Sequence, residues 1–174
     1  MAICDINKGR SKPCKTHVGG VQKFYLFNYV EDAFTVTNGV GTAMSADLTE
    51  SFEYDLTGDG QVLAESKPSD RSAGTSINTQ TITALLQGLD KDTSNELNAV
   101  TKSYPQAVVK TRDGEYKVVG LTDGIDFSIE STTGGTQAEF SGYTLTGVSI
   151  EKDLAPSLDE ATITAFLATV AVNP

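Results

Sequence analysis

The stretch Ala107-Val108-Val109-Lys110-Thr111-Arg112-Asp113-Gly114-Glu115-Tyr116-Lys117-Val118-Val119-Gly120-Leu121 decides the fold class of this chain. Two apolar, β-branched runs flank a polar centre, and an Asp-Gly pair readily takes the positive backbone angles of a tight hairpin turn. The reading is two antiparallel strands in a protein built from sheets.

Working outward, strand chemistry recurs on both sides. Upstream, Val21, Phe24, Tyr25, Leu26, Phe27, Tyr29 and Val30 form an aromatic and β-branched run, and Phe34, Val36 and Val40 follow past Glu31-Asp32. This predicts two strands joined by a short turn. Between Leu48 and Leu63, Phe52, Tyr54 and Leu56 alternate, Thr57-Gly58-Asp59-Gly60 carries turn chemistry and Val62 resumes, which predicts a hairpin. Residues 66–78 are polar and read as an exposed loop, a candidate contact arm. Ile77, Thr79, Thr81 and Thr83 then alternate up to Leu85-Leu86. Downstream, Ile125, Phe127 and Ile129 alternate, and Phe140, Tyr143, Leu145, Val148 and Ile150 supply another long strand.

Two segments read differently. Leu97 and Val100 predict a helix near 92–102, capped by Asp92 or Thr93 and stopped by Tyr104-Pro105, because a residue before proline resists helical angles. Ser157-Leu158-Asp159-Glu160 matches a capping box ahead of Ile163, Phe166, Leu167 and Val170, so a C-terminal helix is expected, weakened by Thr162, Thr164 and Thr169. The expectation is a mainly β single domain over 1–174: a β-sandwich or barrel of about eight strands, with a basic leader (1–20) and a C-terminal extension (156–174).

With 174 residues, 39% of them hydrophobic, one core is within reach. A formal net charge of −10 argues against a general nucleic-acid binder, since neutralising phosphates needs clustered Lys and Arg. No apolar run reaches the roughly 18 residues of a membrane span and no secretory signal is visible, so synthesis and folding in the cytoplasm are expected. There Cys4 and Cys14 are expected as reduced thiols, since a bridge between them would need the leader to bend back on itself.

Charge is unevenly placed. Lys8, Arg10, Lys12, Lys15 and Lys23 precede a stretch from Phe24 to Gly60 that has no Lys or Arg but carries Glu31, Asp32, Asp47, Glu50, Glu53, Asp55 and Asp59. Such polarity suits a subunit that meets copies of itself through complementary surfaces.

Catalytic and metal signals are weak. His17 is the single histidine and would need Cys14 or a serine plus a carboxylate to activate a nucleophile; a surface histidine in the leader is the expectation. Cys4, Cys14 and His17 make three zinc ligands where a structural site wants four. Asp55-Leu56-Thr57-Gly58-Asp59-Gly60 resembles the start of a calcium loop, but its twelfth position is Ser66, not a bidentate Glu, so it reads as a turn. Gly114 and Gly120 read as turn or bulge positions, not a phosphate cradle. No enzyme activity, metal or cofactor is expected.

Taken together, the leader Cys4-Asp5-Ile6-Asn7-Lys8-Gly9-Arg10 with Pro13-Cys14-Lys15 and Val18-Gly19-Gly20, the helix at Asn95-Glu96-Leu97, the Asp113–Leu121 hairpin arm and the strand Ser141-Gly142-Tyr143-Thr144-Leu145-Thr146-Gly147 resemble the major tail tube proteins of long-tailed bacteriophages. The resemblance spans the chain to about Pro156. It implies a structural virion protein, assembled in the host cytoplasm, whose hexameric rings stack into a tail conduit through which DNA passes without specific binding. It implies as partners the chain itself and the tail terminator, hub and tape measure proteins.

In that setting Asp47, Glu50, Glu53 and Asp55 are the candidate acids of the lumen, where they would repel phosphates. Lys8, Arg10, Lys12 and Lys15 of the leader, with Lys67, Asp70 and Arg71 of the polar loop, are the candidate ring-to-ring contacts. The alternatives are a tail terminator, a neck or ring component, a head decoration protein, or a carbohydrate-binding β-sandwich. The last lacks an aromatic platform, as the chain has no Trp.

Overall fold

A computed structural model describes residues 6–56 and 58–171. Its strands are β1 Val21–Phe27, β2 Phe34–Thr37, β3 Val40–Met44, β4 Phe52–Asp55, β5 Val62–Ser66, β6 Ser69–Asp70, β7 Thr75–Ser76, β8 Asn78–Gln87, β9 Gln106–Thr111, β10 Tyr116–Val119, β11 Asp126–Thr132, β12 Gly142–Glu151 and β13 Ser157–Leu158. Its helices are α1 Lys91–Val100 and α2 Glu160–Leu167. The chain is mainly β with two helices.

Strands β2-β3-β13-β10-β9-β1-β4 form one sheet, β11-β12-β8-β5 a second, and β6-β7 a small separate hairpin. The two larger sheets face each other across a core in which Phe24, Leu26, Ala107, Val109 and Val119 meet Ile82, Ala84, Phe127, Tyr143 and Leu145, with Leu97 of α1 at the side. The opposite face of the seven-stranded sheet is buried too. There Tyr25, Phe27, Val108, Tyr116 and Val118 pack with Phe166 of α2. Burial on both faces explains why β1 and β9 read as continuous apolar runs instead of alternating ones.

The deciding stretch forms its hairpin. Tyr116 pairs with Lys110 and Val119 with Ala107 across the Asp113-Gly114 turn, where Gly114 has φ 91°.

Several connections differ from the sequence reading. Residues 21–40 do not make a hairpin: β1 lies between β9 and β4, whereas β2 sits at the far edge and pairs with β3. The turn that sets that pairing is Asn38-Gly39, with φ of 53° and 79°, angles that this pair tolerates better than almost any other. Residues 48–63 do not make a hairpin either, because β4 pairs with β1 and β5 with β8. Tyr54 stacks on Phe24 at 4.7 Å and holds β4 to the first sheet, while the Gln61 side chain accepts from the Leu85 amide at 2.7 Å and ties the next segment to the second.

Both helix starts move. Asp90, not Asp92 or Thr93, caps α1 by accepting from the Thr93 amide at 3.2 Å. Asp159, not Ser157, caps α2 by accepting from the Thr162 amide at 2.7 Å. Ser157–Leu158 instead form β13, parallel to β3 and antiparallel to β10, in the interior of the larger sheet. The sequence from Pro156 onward thus supplies an inner strand and, through Phe166, the centre of the second core. Residues 66–77 of the polar loop are exposed, yet they fold around the β6-β7 hairpin, and Asn78, expected to end the loop, is instead buried at the start of β8.

Candidate assembly surfaces

Residues 6–20 form no helix or strand and are exposed. Lys8, Arg10, Lys12 and Lys15 make no hydrogen bond or ion pair among the described residues. The root of the leader is fastened at one point. The Val18 amide donates to Asp113 Oδ1 at 2.7 Å, and His17 Nδ1 lies 3.0 Å from Asp113 Oδ2. The Val18 amide first, and His17 second, hold the Asp113 carboxyl below its ordinary value of 3.8. His17 therefore has a carboxylate partner, but no serine or cysteine hydrogen-bonds to it among the described residues. Cys14 is an exposed free thiol, and Cys4 lies outside the described residues.

The second group of expected contacts lies on and beside the β6-β7 hairpin. Lys67 Nζ reaches Asp153 Oδ1 at 2.9 Å, a surface pair. Asp70 Oδ1 accepts from the Ser72 and Ala73 amides at 2.7 and 3.1 Å, which builds the hairpin turn, and Arg71 is exposed on that turn. No hydrogen bond or ion pair joins this hairpin to the leader among the described residues.

The four expected lumen acids fall on and near the edge strand β4. Asp47 and Glu50 are exposed on the segment leading into it, and Glu53 and Asp55 lie within it. Glu53 is not free: Lys23 Nζ donates to it at 2.7 Å, which raises the lysine above its ordinary value. Tyr54 points the other way and donates to Glu96 of α1 at 2.8 Å; burial, then that bond, push the phenol above its ordinary range.

Between β4 and the start of α1 runs a groove of about 580 Å³, lined in part by Glu53, Asp55, Asp90, Asp92 and Glu96, with no Lys or Arg in its lining. Asp90 is engaged as the helix cap, and its hydrogen bonds from Thr93 hold it below the ordinary carboxylate value. Among the described residues no group of His, Cys, Asp and Glu is placed to hold a metal ion.

A feature missed in the sequence is the outward face of the four-stranded sheet. The ladder β5-β8-β12-β11 places Asp126, Val148, Thr81 and Ala64 in one row and Ser128, Thr146, Thr83 and Val62 in the next. Glu130, Thr144 and Leu85 form a third row, and Ile150, Thr79 and Ser66 a fourth. Val62, Val148 and Ile150 stay 47%, 39% and 55% exposed, so no described element covers this face. Asp126 and Glu130 are its charges, and it bears no Lys or Arg. The signal was present in the alternation of Thr79, Thr81 and Thr83, which marks the wet side of β8.

Compared with known proteins, the chain matches no protein-family model, no curated protein and no solved structure. No described helix is long and apolar enough to cross a membrane.

Proposed function

We propose that the chain is a structural subunit of a bacteriophage virion, the ring-forming repeat of a tail tube, assembled in the host cytoplasm and working without catalysis or cofactor. The observation that carries this reading is the outward face of the four-stranded sheet: among the described residues it is uncovered, free of cations, and bounded by two edge strands, β5 and β11, that lack outer neighbours.

Unpaired edges are a hazard in a monomer and a joint in an assembly. Every pairing in this sheet is antiparallel, and the sheet has an even number of strands. Setting β5 of one copy beside β11 of the next therefore continues the antiparallel alternation with both copies in the same orientation. A head-to-tail contact of this kind closes into a ring when its rotation closes.

The joined sheets would turn a surface of Thr, Ser, Val, Asp126 and Glu130 toward the axis. DNA passes such a wall without adhering, because tight phosphate binding needs Lys or Arg to displace condensed counterions. In this arrangement the bore is lined by the four-stranded sheet, and Asp47, Glu50, Glu53 and Asp55 lie away from it on the other sheet. The leader and the hairpin bearing Lys67, Asp70 and Arg71 remain available for contacts between rings, with terminator, hub and tape measure proteins as partners at the tube's ends and interior.

Negative-stain electron microscopy of the purified protein, at rising concentration, tests the reading. Stacked hollow rings are the expected result. Rings that never stack would move the protein to a terminator, neck or decoration role, and a strictly monomeric chain under all conditions would overturn self-assembly altogether.

A further inference from the structure

Past Ser51, whose main chain pairs with Thr169 and Ala171, the outer edge of β4 carries no partner among the described residues and has the features of a receptor for an extended chain. Leu56 N bonds to Gln22 O on the inner side, so the alternation of an antiparallel ladder leaves the main-chain groups of Glu53 and Asp55 facing outward, into the groove beside α1. That groove is wide enough for a peptide strand at about 580 Å³, and five carboxylates contribute to its lining. Lys23 offsets Glu53, but no lysine or arginine lies at ion-pair distance from Asp55, Asp90, Asp92 or Glu96 among the described residues.

The chain also carries the matching ligand. Lys8, Arg10 and Lys12 recur at every second residue, which on an extended strand sets all three on one face at a spacing of about 6.7 Å. Pro13 follows at once, a residue that ends a paired strand because it has no amide hydrogen to give. These cations are exposed and have no partners among the described residues.

We infer that the groove between β4 and α1 receives residues 7–12 of a second copy as an added strand, its alternate cations meeting the groove's carboxylates. The contact is assigned between copies because, within one chain, residues 7–12 stay exposed while His17 and Val18 fasten the leader root to Asp113 in the β9-β10 turn. Main-chain hydrogen bonds supply affinity in such strand addition, and the side chains supply the choice of partner. The joint deepens the tube reading by naming one contact of the assembly, while needing no more than two copies.

Cross-linking between two full-length versions tests it. One version carries Cys4→Ser and keeps Cys14 in the leader; the other carries Cys4→Ser, Cys14→Ser and Leu89→Cys, a half-exposed position in the groove. A bismaleimide should join the two, at a yield at least tenfold above a control with Ser128→Cys on β11 in place of Leu89→Cys. Equal yields at the two positions, or no product, would overturn the joint.

Reversing the leader with Lys8→Glu, Arg10→Glu and Lys12→Glu should lower the yield at least tenfold, and adding Asp55→Lys and Asp92→Lys to the groove version should restore it. An undiminished yield, or a loss that the groove reversal does not repair, would also overturn it. Tubes seen by microscopy without the cross-link leave the tube reading standing and remove this joint. The cross-link without rings does the opposite.

Discussion

Gly120 directly follows β10 with φ of +71°, and a Cβ there would come 2.5 Å from Ile125 Cγ1 and 2.9 Å from the Gly124 carbonyl carbon. Gly114 has φ of +91° but open space around it. Gly120→Ala should therefore cost about 2–4 kcal/mol, combining left-handed strain with overpacking, and Gly114→Ala about 1–2 kcal/mol from strain alone. Urea denaturation of the two variants checks the difference. In the sequence both glycines read as turn positions, and nothing local separates them, because the atoms that crowd Gly120 come from the following loop. Asp113 gives a second prediction. Its folded carboxyl titrates below 3.8, so the energy that docks the leader root is fully present above that value and is lost as pH falls through the depressed range. Exchange of the Val18 amide, corrected for its intrinsic rate, should rise as pH falls below this point and should rise at neutral pH in Asp113→Ala.

At the scale of elements, α2 is short but its buried face is decisive. Phe166 is fully buried, 5.5 Å from the Tyr25 ring edge-on, and 6.0 and 5.9 Å from Phe27 and Phe34. Phe166→Ala should cost about 3–5 kcal/mol, measurable as a lower denaturation midpoint with little change in slope. The strands themselves were legible, since alternation and β-branched runs are local signals. Their partners were not. The partners of β4 and β5 are set by residues dozens of positions apart, since Leu56 N donates to Gln22 O and Leu85 N donates to the Gln61 side chain; the exception is the Asn38-Gly39 turn, a local signal that pairs β2 with β3. The tail shows the same limit at shorter range. Ser157 through Glu160 fit a capping pattern, yet a vacancy between β3 and β10 claims Ser157 and Leu158 as a strand, and the cap passes to Asp159.

At the scale of the whole molecule, the charge polarity was readable from composition, whereas its geometry required the fold. Which acids share a groove, and which sheet face stays bare, depends on β4 and β5 belonging to different sheets. The two proposed joints also differ in kind: β5 against β11 rests on main-chain hydrogen bonds, while the leader joint adds charge pairing. Raising salt from about 0.1 M to about 1 M shortens electrostatic reach from about 10 Å to about 3 Å. Cross-linking between the leader and the groove should fall over that range while rings, followed by sedimentation velocity, persist; parallel loss of both would show one common electrostatic origin. A last consequence follows from the place of β13. Because Ser157–Leu158 fill an inner slot of the seven-stranded sheet, a chain emerging from the ribosome holds β2 and β3 apart from β10 until residues 157–158 have been translated. Nascent or prematurely terminated chains would expose two raw margins, so this protein should depend on holdase chaperones during synthesis and yield no folded fragment when translation stops before Ser157.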